Sequence, residues 1–145
     1  MIVKVKKLAE NAVLPTYGSP QAAGADLYAL VEGDVTIAAG ETFLVPTGLS
    51  VEIPEGYVGL IYARSGLATK KGLAPANKVG VIDSDYRGEV KVALFNQSGK
   101  PQTITQGERI AQLVIAPFLS VTYEEAEELS STDRGAGGFG STGNK

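Results

Sequence analysis

The run from Asp133 to Gly143 holds five glycines together with Arg134, Phe139, Ser141 and Thr142. Glycine leaves backbone N–H groups open to phosphate oxygens, a guanidinium supplies a forked cation, and an aromatic ring offers a stacking face for a base. The combination reads as a clamp for a nucleoside polyphosphate. The competing reading is a disordered Gly/Ser tail. The spacing imitates a Walker A loop, but Gly140-Ser141 stands at the lysine position and only three residues follow Thr142, where a P-loop must open a helix. Walker A is therefore excluded.

Three further groups could act on such a ligand. Asp26 lies in Ala22-Ala23-Gly24-Ala25-Asp26-Leu27, a charge among small and apolar residues that needs a partner. It either faces a site, through metal-bound water, or sits on the outer face of a half-buried strand. Gly80-Val81-Ile82-Asp83-Ser84-Asp85-Tyr86-Arg87-Gly88-Glu89-Val90 reads as strand, tight turn, strand, the first apolar run feeding Asp83 into the turn. There it is either a base tuned at the sheet edge or an ordinary turn aspartate bonded to its own backbone. Arg64-Ser65-Gly66 opens a short helical pattern with Ser65 as the expected N-cap, Lys70 and Lys71 in the last turn and Gly72 at C′. That start is either an anion site or an ordinary capped turn.

Composition narrows the chemistry further. The 145 residues include no Cys and no His, so disulfides and thiolate nucleophiles are excluded. Proton transfer near neutral pH falls to a carboxylate, lysine or tyrosine, and a metal must be held by oxygen, with Mg²⁺ the natural hard cation. A net charge of −3 and no basic cluster larger than Lys6-Lys7 or Lys70-Lys71 argue against duplex nucleic acid as a partner. No apolar run spans a bilayer, and the lysine-interrupted start is no signal peptide, so a soluble, cytoplasmic protein is expected.

The elements that must position these groups are short strands. Turn signals recur at Glu32-Gly33-Asp34, Ala39-Gly40-Glu41, Pro54-Glu55-Gly56, Tyr86-Arg87-Gly88, Ser98-Gly99-Lys100-Pro101 and Gln106-Gly107-Glu108. Between them lie apolar or alternating runs such as Thr42 to Val45, Leu49 to Ile53, Val58 to Tyr62, Val90 to Phe95 and Ile110 to Ile115. This rhythm predicts an all-β sandwich or barrel with one short helix. Size allows one domain with a proper core. The glutamates Glu124, Glu125, Glu127 and Glu128 read as a solvated lead into the tail.

Taken in order, Gly24-Ala25-Asp26-Leu27, Arg64-Ser65-Gly66, Gly80 to Gly88, Gly107-Glu108-Arg109-Ile110-Ala111-Gln112 and Arg134 to Thr142 resemble the five motifs of the trimeric dUTP diphosphatases (dUTPases). The resemblance covers nearly the whole chain. It implies an all-β distorted barrel or jelly roll over residues 1–130, a flexible Gly-rich nucleotide-clamping arm over 131–145, and Mg²⁺-assisted hydrolysis of dUTP to dUMP and diphosphate. That reaction would limit uracil incorporation into DNA and supply dUMP for thymidylate synthesis. A homotrimer is implied, each site taking the first, second and fourth motifs from one subunit, the third from a neighbour and the tail from the third subunit.

By the same resemblance Asp83 activates the attacking water and meets the sugar 3′-OH, with Arg64 and Gln112 beside it as catalytic residues. Ser65, Gly66, Arg134, Gly138, Gly140, Ser141 and Thr142 join Arg64 and Gln112 in holding substrate, largely through its phosphates. Asn77 and the backbone of Gly80, Val81, Ile82 and Asp83 read uracil, Tyr86 packs under deoxyribose, and Phe139 stacks over the base. Asp26 holds Mg²⁺ in the outer shell, through water. The rival dCTP deaminases share the fold, but their catalytic Glu would fall at Ala93. A non-catalytic nucleotide-binding barrel is disfavoured by the presence of Asp26, Asp83 and the complete tail.

Overall fold

Along Glu89–Asn96, Val90, Val92, Leu94 and Asn96 are buried and the residues between them are not, as a strand with one inward face requires. The computed structural model describes residues 1–141. It contains β1 (Lys4–Lys7), β2 (Thr16–Tyr17), β3 (Ala25–Tyr28), β4 (Val35–Ile37), β5 (Thr42–Glu52), β6 (Tyr57–Tyr62), α1 (Ser65–Lys71), β7 (Leu73–Pro75), β8 (Gly80–Ile82), β9 (Glu89–Asn96), β10 (Gln102–Ile104) and β11 (Arg109–Pro117). Pairing is antiparallel throughout, in sheets ordered β1-β5-β9-β7, β2-β3-β11-β6-β8 and β10-β4.

All three sheets contribute to one apolar core. Val45, Val92 and Leu94 come from the first, Leu27, Ile61 and Leu113 from the second, and Ile37 and Ile104 from the pair β4–β10. The result is an all-β fold with one short helix, as the turn rhythm predicts, and of the distorted-barrel kind that the resemblance implies. Asn96 is fully buried: its Nδ2 donates to the carbonyls of Ile37 and Lys100 at 2.9 Å each, and its Oδ1 accepts the Ser98 N–H at 2.9 Å. A polar side chain so satisfied pins the β9–β10 connection to β4.

The structure corrects the sequence reading in three places. Thr42 to Val45 and Leu49 to Ile53 are not separate strands; β5 runs unbroken from Thr42 to Glu52, its register with β9 shifting between Pro46 and Ser50. Gly48 sits at that bulge with φ 67, and a β-carbon there would meet the Leu30 side chain and lie 2.9 Å from the Ala12 methyl. Proline and glycine can sit inside this strand because the irregular pairing relieves one of its ladder bond and gives the other its left-handed backbone.

Second, the strands flanking Asp83 do not pair with each other. β8 pairs with β6 while β9 pairs with β5 and β7, so residues 83–88 cross from one sheet to the other. Third, Ser65 is the first residue of α1, and Arg64 is the N-cap with extended backbone and no side-chain capping bond. Gly72 does close the helix in the left-handed conformation, φ 67, its N–H donating to Ala68. Lys71 then ties the helix end to the barrel, its Nζ donating to Glu108 Oε1 at 2.7 Å and to the Thr103 carbonyl at 2.8 Å.

No strand or helix follows Pro117 among the described residues, and none of their helices is long and apolar enough to cross a membrane.

Candidate functional site

Asp26 is central to β3 and 8% exposed. Its Oδ1 accepts Arg64 Nε at 2.9 Å and its Oδ2 accepts Arg109 Nη1 at 3.2 Å. Arg64 also reaches the Arg109 carbonyl through Nη1 at 3.3 Å. A carboxylate this buried is tolerable only because two guanidiniums face it, and it fixes both in return. The trio carries a net positive charge. Arg109 has no separate role in the sequence reading; it pairs with Tyr28, and its side chain's reach to Asp26 depends on the β3–β11 pairing, which shifts register between Arg109 and Ala111.

Gln112 lies on β11 directly across from Asp26 on one side and Tyr62 on the other. Its Nε2 donates to the Ala63 carbonyl at 2.9 Å. Gly24 makes room for it, since a β-carbon at position 24 would collide with Gln112 Oε1 and lie 3.1 Å from its Cβ. Gly24, Asp26, Arg64, Ser65, Gly66 and Gln112 together border a cavity of about 180 Å³. Ser65 and Gly66 reach it from the first turn of α1, whose N–H groups have no partner within the helix. This basin, with a net positive ion-pair cluster and helix-start donors on its wall, suits an anion.

A second cavity, of about 450 Å³, gathers Asn77, Gly80, Val81, Ile82, Asp83 and Tyr86. It shares no lining residue with the first. β8 is the edge strand of its sheet, so the N–H and C=O groups on its outer side have no strand partner. The Asn77 amide lies beside Gly80, its Nδ2 3.5 Å from where a Gly80 β-carbon would stand. Asn77 thus stands next to open backbone donors and acceptors, an arrangement able to read the edge of a planar base. Asp83 closes one end, accepting the Tyr86 N–H at 3.1 Å through its carbonyl. It also borders a third, larger groove of about 970 Å³ with Leu60, Val81, Arg87 and Phe118, which the sequence did not anticipate.

The described part of the tail, up to Ser141, joins neither of the first two cavities. Residues 132–141 form consecutive tight turns: Gly135 N–H donates to Thr132, Gly137 N–H to Arg134 and Ser141 N–H to Gly138, each to the carbonyl at 3.0 Å. Arg134 Nε donates to the Gly137 carbonyl at 2.9 Å, and Phe139 is fully exposed with φ 50. Gly138, Gly140 and Ser141 belong to these turns, whereas Thr142 lies outside the described residues. One chain therefore holds the expected residues as three separate groups.

Residues 10–143 match the family model for dUTPase. The chain belongs to the dUTPase family. A deoxyuridine 5′-triphosphate nucleotidohydrolase of Hydrogenobaculum sp. (strain Y04AAS1) is 54% identical over 145 residues, the full length of both proteins. Among solved structures, a point mutant of the Staphylococcus bacteriophage 80alpha dUTPase with dUpNHpp superimposes with a TM-score of 0.87 at 30% identity, covering 98% of each chain. A point mutant of the dUTPase from phage phi11 of S. aureus, described with a coordinated structural Mg(II) ion, gives 0.77 at 28% identity over 88% of this chain and 98% of that one. In this dUTPase-family chain Asp26, Arg64, Ser65 and Gln112 border the first cavity, and Asn77, Asp83 and Tyr86 the second.

Proposed function

We propose that this dUTPase-family enzyme hydrolyses dUTP to dUMP and diphosphate at a site assembled from three copies of the chain. The observation that carries the reading is the separation just described: an anion basin, a base-reading edge and a glycine-rich arm, each on its own part of one chain. Attack by water on the α-phosphorus needs all three around one nucleotide. Exposed apolar side chains such as Leu44 and Val81, at 54% and 64%, support a further copy covering these faces. On this reading residues 1–130 are the barrel and 131–145 the arm of a neighbour, in a soluble, cytoplasmic homotrimer.

Each residue then has a defined task. Arg64, Ser65, Gly66 and Gln112 receive phosphate oxygens, and the Asp26 carboxylate keeps Arg64 aimed before substrate arrives. Asp83 accepts a hydrogen bond from the attacking water and takes its proton as the new P–O bond forms; the bond between the α-phosphorus and the bridging oxygen breaks, and diphosphate leaves. Asn77 and the open edge of β8, Gly80 to Ile82, match the acceptor and donor pattern of uracil, which cytosine reverses. Tyr86 packs under deoxyribose. Arg134, Gly138, Gly140, Ser141 and Thr142 close over the phosphates, and Phe139 stacks on the base.

Asp26 also fits the outer shell of a Mg²⁺ ion. Each of its oxygens accepts one arginine and keeps a lone pair for a metal-bound water. Among the described residues no three Asp or Glu side chains converge to cage a metal, so its remaining ligands would be triphosphate oxygens and water. When bound, the ion neutralises charge on the triphosphate. Diphosphate release measured with dUTP, dCTP, dTTP and UTP, alongside sedimentation equilibrium, tests the proposal. It predicts rapid release from dUTP by a species of three times the chain mass; an active monomer or preferential deamination of dCTP would overturn it.

A further inference from the structure

We infer that Gly88 is the residue that sets sugar selectivity, by letting the Tyr86 ring lie back against its own loop as a braced wall. Gly88 is not among the residues of positive φ, so its φ does not call for glycine. What it would not accept is the side chain. A β-carbon at Gly88 would collide with the Tyr86 hydroxyl oxygen and lie 2.5 Å from Cζ and 2.9 Å from Cε2. Separations that short are repulsive, so any side chain at position 88 must drive the ring out of its seat.

That seat is held at several points. The Tyr86 hydroxyl donates to the Glu89 carbonyl at 2.9 Å, and the Tyr86 N–H donates to the Asp83 carbonyl at 3.1 Å. Arg87 Nη1 donates to the carbonyls of Ser84 at 2.6 Å and Tyr86 at 3.0 Å, stiffening the turn from inside. Outside it, Ser50 Oγ donates to the Arg87 carbonyl at 2.6 Å, and Glu89 Oε1 accepts the Gly48 N–H at 2.9 Å, fastening the loop to the β5 bulge. The ring still presents itself to the cavity that holds Asn77 and Asp83, and Tyr86 is 45% exposed.

The inference rests on the reading that Tyr86 underlies the deoxyribose. A wall that excludes an added hydroxyl by crowding discriminates only as far as it refuses to move, and a yielding apolar wall gives roughly 10²-fold at best. Tyr86 is tied at its hydroxyl end and at its backbone, with its flank packed on the bare backbone of Gly88. Loss of that seat should admit the ribose 2′-OH while leaving the base contacts at Asn77 and β8 in place.

The test compares kcat/KM for dUTP, UTP and dCTP in the full-length protein and in Gly88→Ala, Tyr86→Phe and Tyr86→Ala. Gly88→Ala should raise the UTP-to-dUTP ratio by roughly tenfold while the dCTP-to-dUTP ratio stays level. General loosening of the site would move both ratios, and that result overturns the inference. Tyr86→Phe keeps the ring but removes the hydroxyl tie, so it should raise the UTP ratio by a smaller factor, about threefold, and it carries the test if Gly88→Ala does not fold. If Tyr86→Ala raises the UTP ratio while neither Gly88→Ala nor Tyr86→Phe does, the brace is refuted and Tyr86 remains the sugar wall. If Tyr86→Ala itself leaves the ratio unchanged, the placement of Tyr86 under the sugar is wrong and the inference falls with it.

Discussion

Replacing Asp26 by Asn tests whether this carboxylate is the anchor of the anion basin. The substitution keeps the shape of the side chain and removes its charge. One oxygen can still accept from a guanidinium, but the new amide meets the other donor to donor. Removing one partner of a fully buried ion pair costs roughly 3–5 kcal/mol. Here the side chains of Asp26, Arg64 and Arg109 are 12%, 28% and 49% exposed, so water relieves part of the uncompensated charge on the arginines. A loss of about 2 kcal/mol is therefore expected, which for a chain of this size lowers Tm by about 4–8 °C. Melting should be followed by circular dichroism at fixed protein concentration, because assembly makes Tm concentration-dependent. Turnover, read as diphosphate release from dUTP, should fall with it, as Arg64 is no longer aimed. A double-mutant cycle with Arg109→Met should show coupling, since both changes strike one network. A variant that melts within about 1 °C of the parent and regains full turnover when Mg²⁺ is raised would refute the reasoning. Asp26 would then touch only the metal.

Asp83→Asn should lower turnover by roughly 10²–10⁴-fold while binding of a non-hydrolysable dUTP analogue changes far less; parallel collapse of both would make Asp83 a binding or folding residue. Removing residues 131–145 should abolish most activity yet leave assembly and Tm nearly unchanged, because the described part of this arm contributes no core residue; a truncated protein with full turnover would dismiss the clamp. Asn96→Ala should lower stability by about 2–4 kcal/mol in denaturant melts, since the Ile37 and Lys100 carbonyls and the Ser98 N–H lose their buried partner together; a midpoint shift corresponding to less than about 1 kcal/mol would show that water replaces it. Base selection between dUTP and dCTP should be steep, about 10⁴-fold, because a reversed donor pattern leaves buried groups unpaired; comparable kcat/KM values for the two would remove Asn77 and β8 from the base site.

Much of this was legible along the chain because the signals are local. Turn residues mark where strands stop, Gly72 marks the end of the helix, and the glycines around Arg134 and Phe139 mark an arm unable to pack by itself. The absence of His and Cys narrowed proton transfer near neutral pH to a carboxylate, lysine or tyrosine. What the sequence could not disclose were relations between distant segments. A turn at Asp83 announces a change of direction, not that β8 and β9 enter different sheets, because partner choice depends on the whole core. The Asp26–Arg64–Arg109 cluster joins residues up to 83 positions apart through the β3–β11 register. Ser65 looked like a cap by residue type, but the packed helix begins one residue earlier than that reading requires and leaves Arg64 at the cap, its guanidinium on Asp26. Gly88 read as a turn glycine; only the folded loop shows that its missing side chain, not its backbone freedom, makes room for Tyr86. Local propensity can name the residues of a site, but the distances that let them act are settled by packing, where each side chain must fit against neighbours that the sequence holds far away.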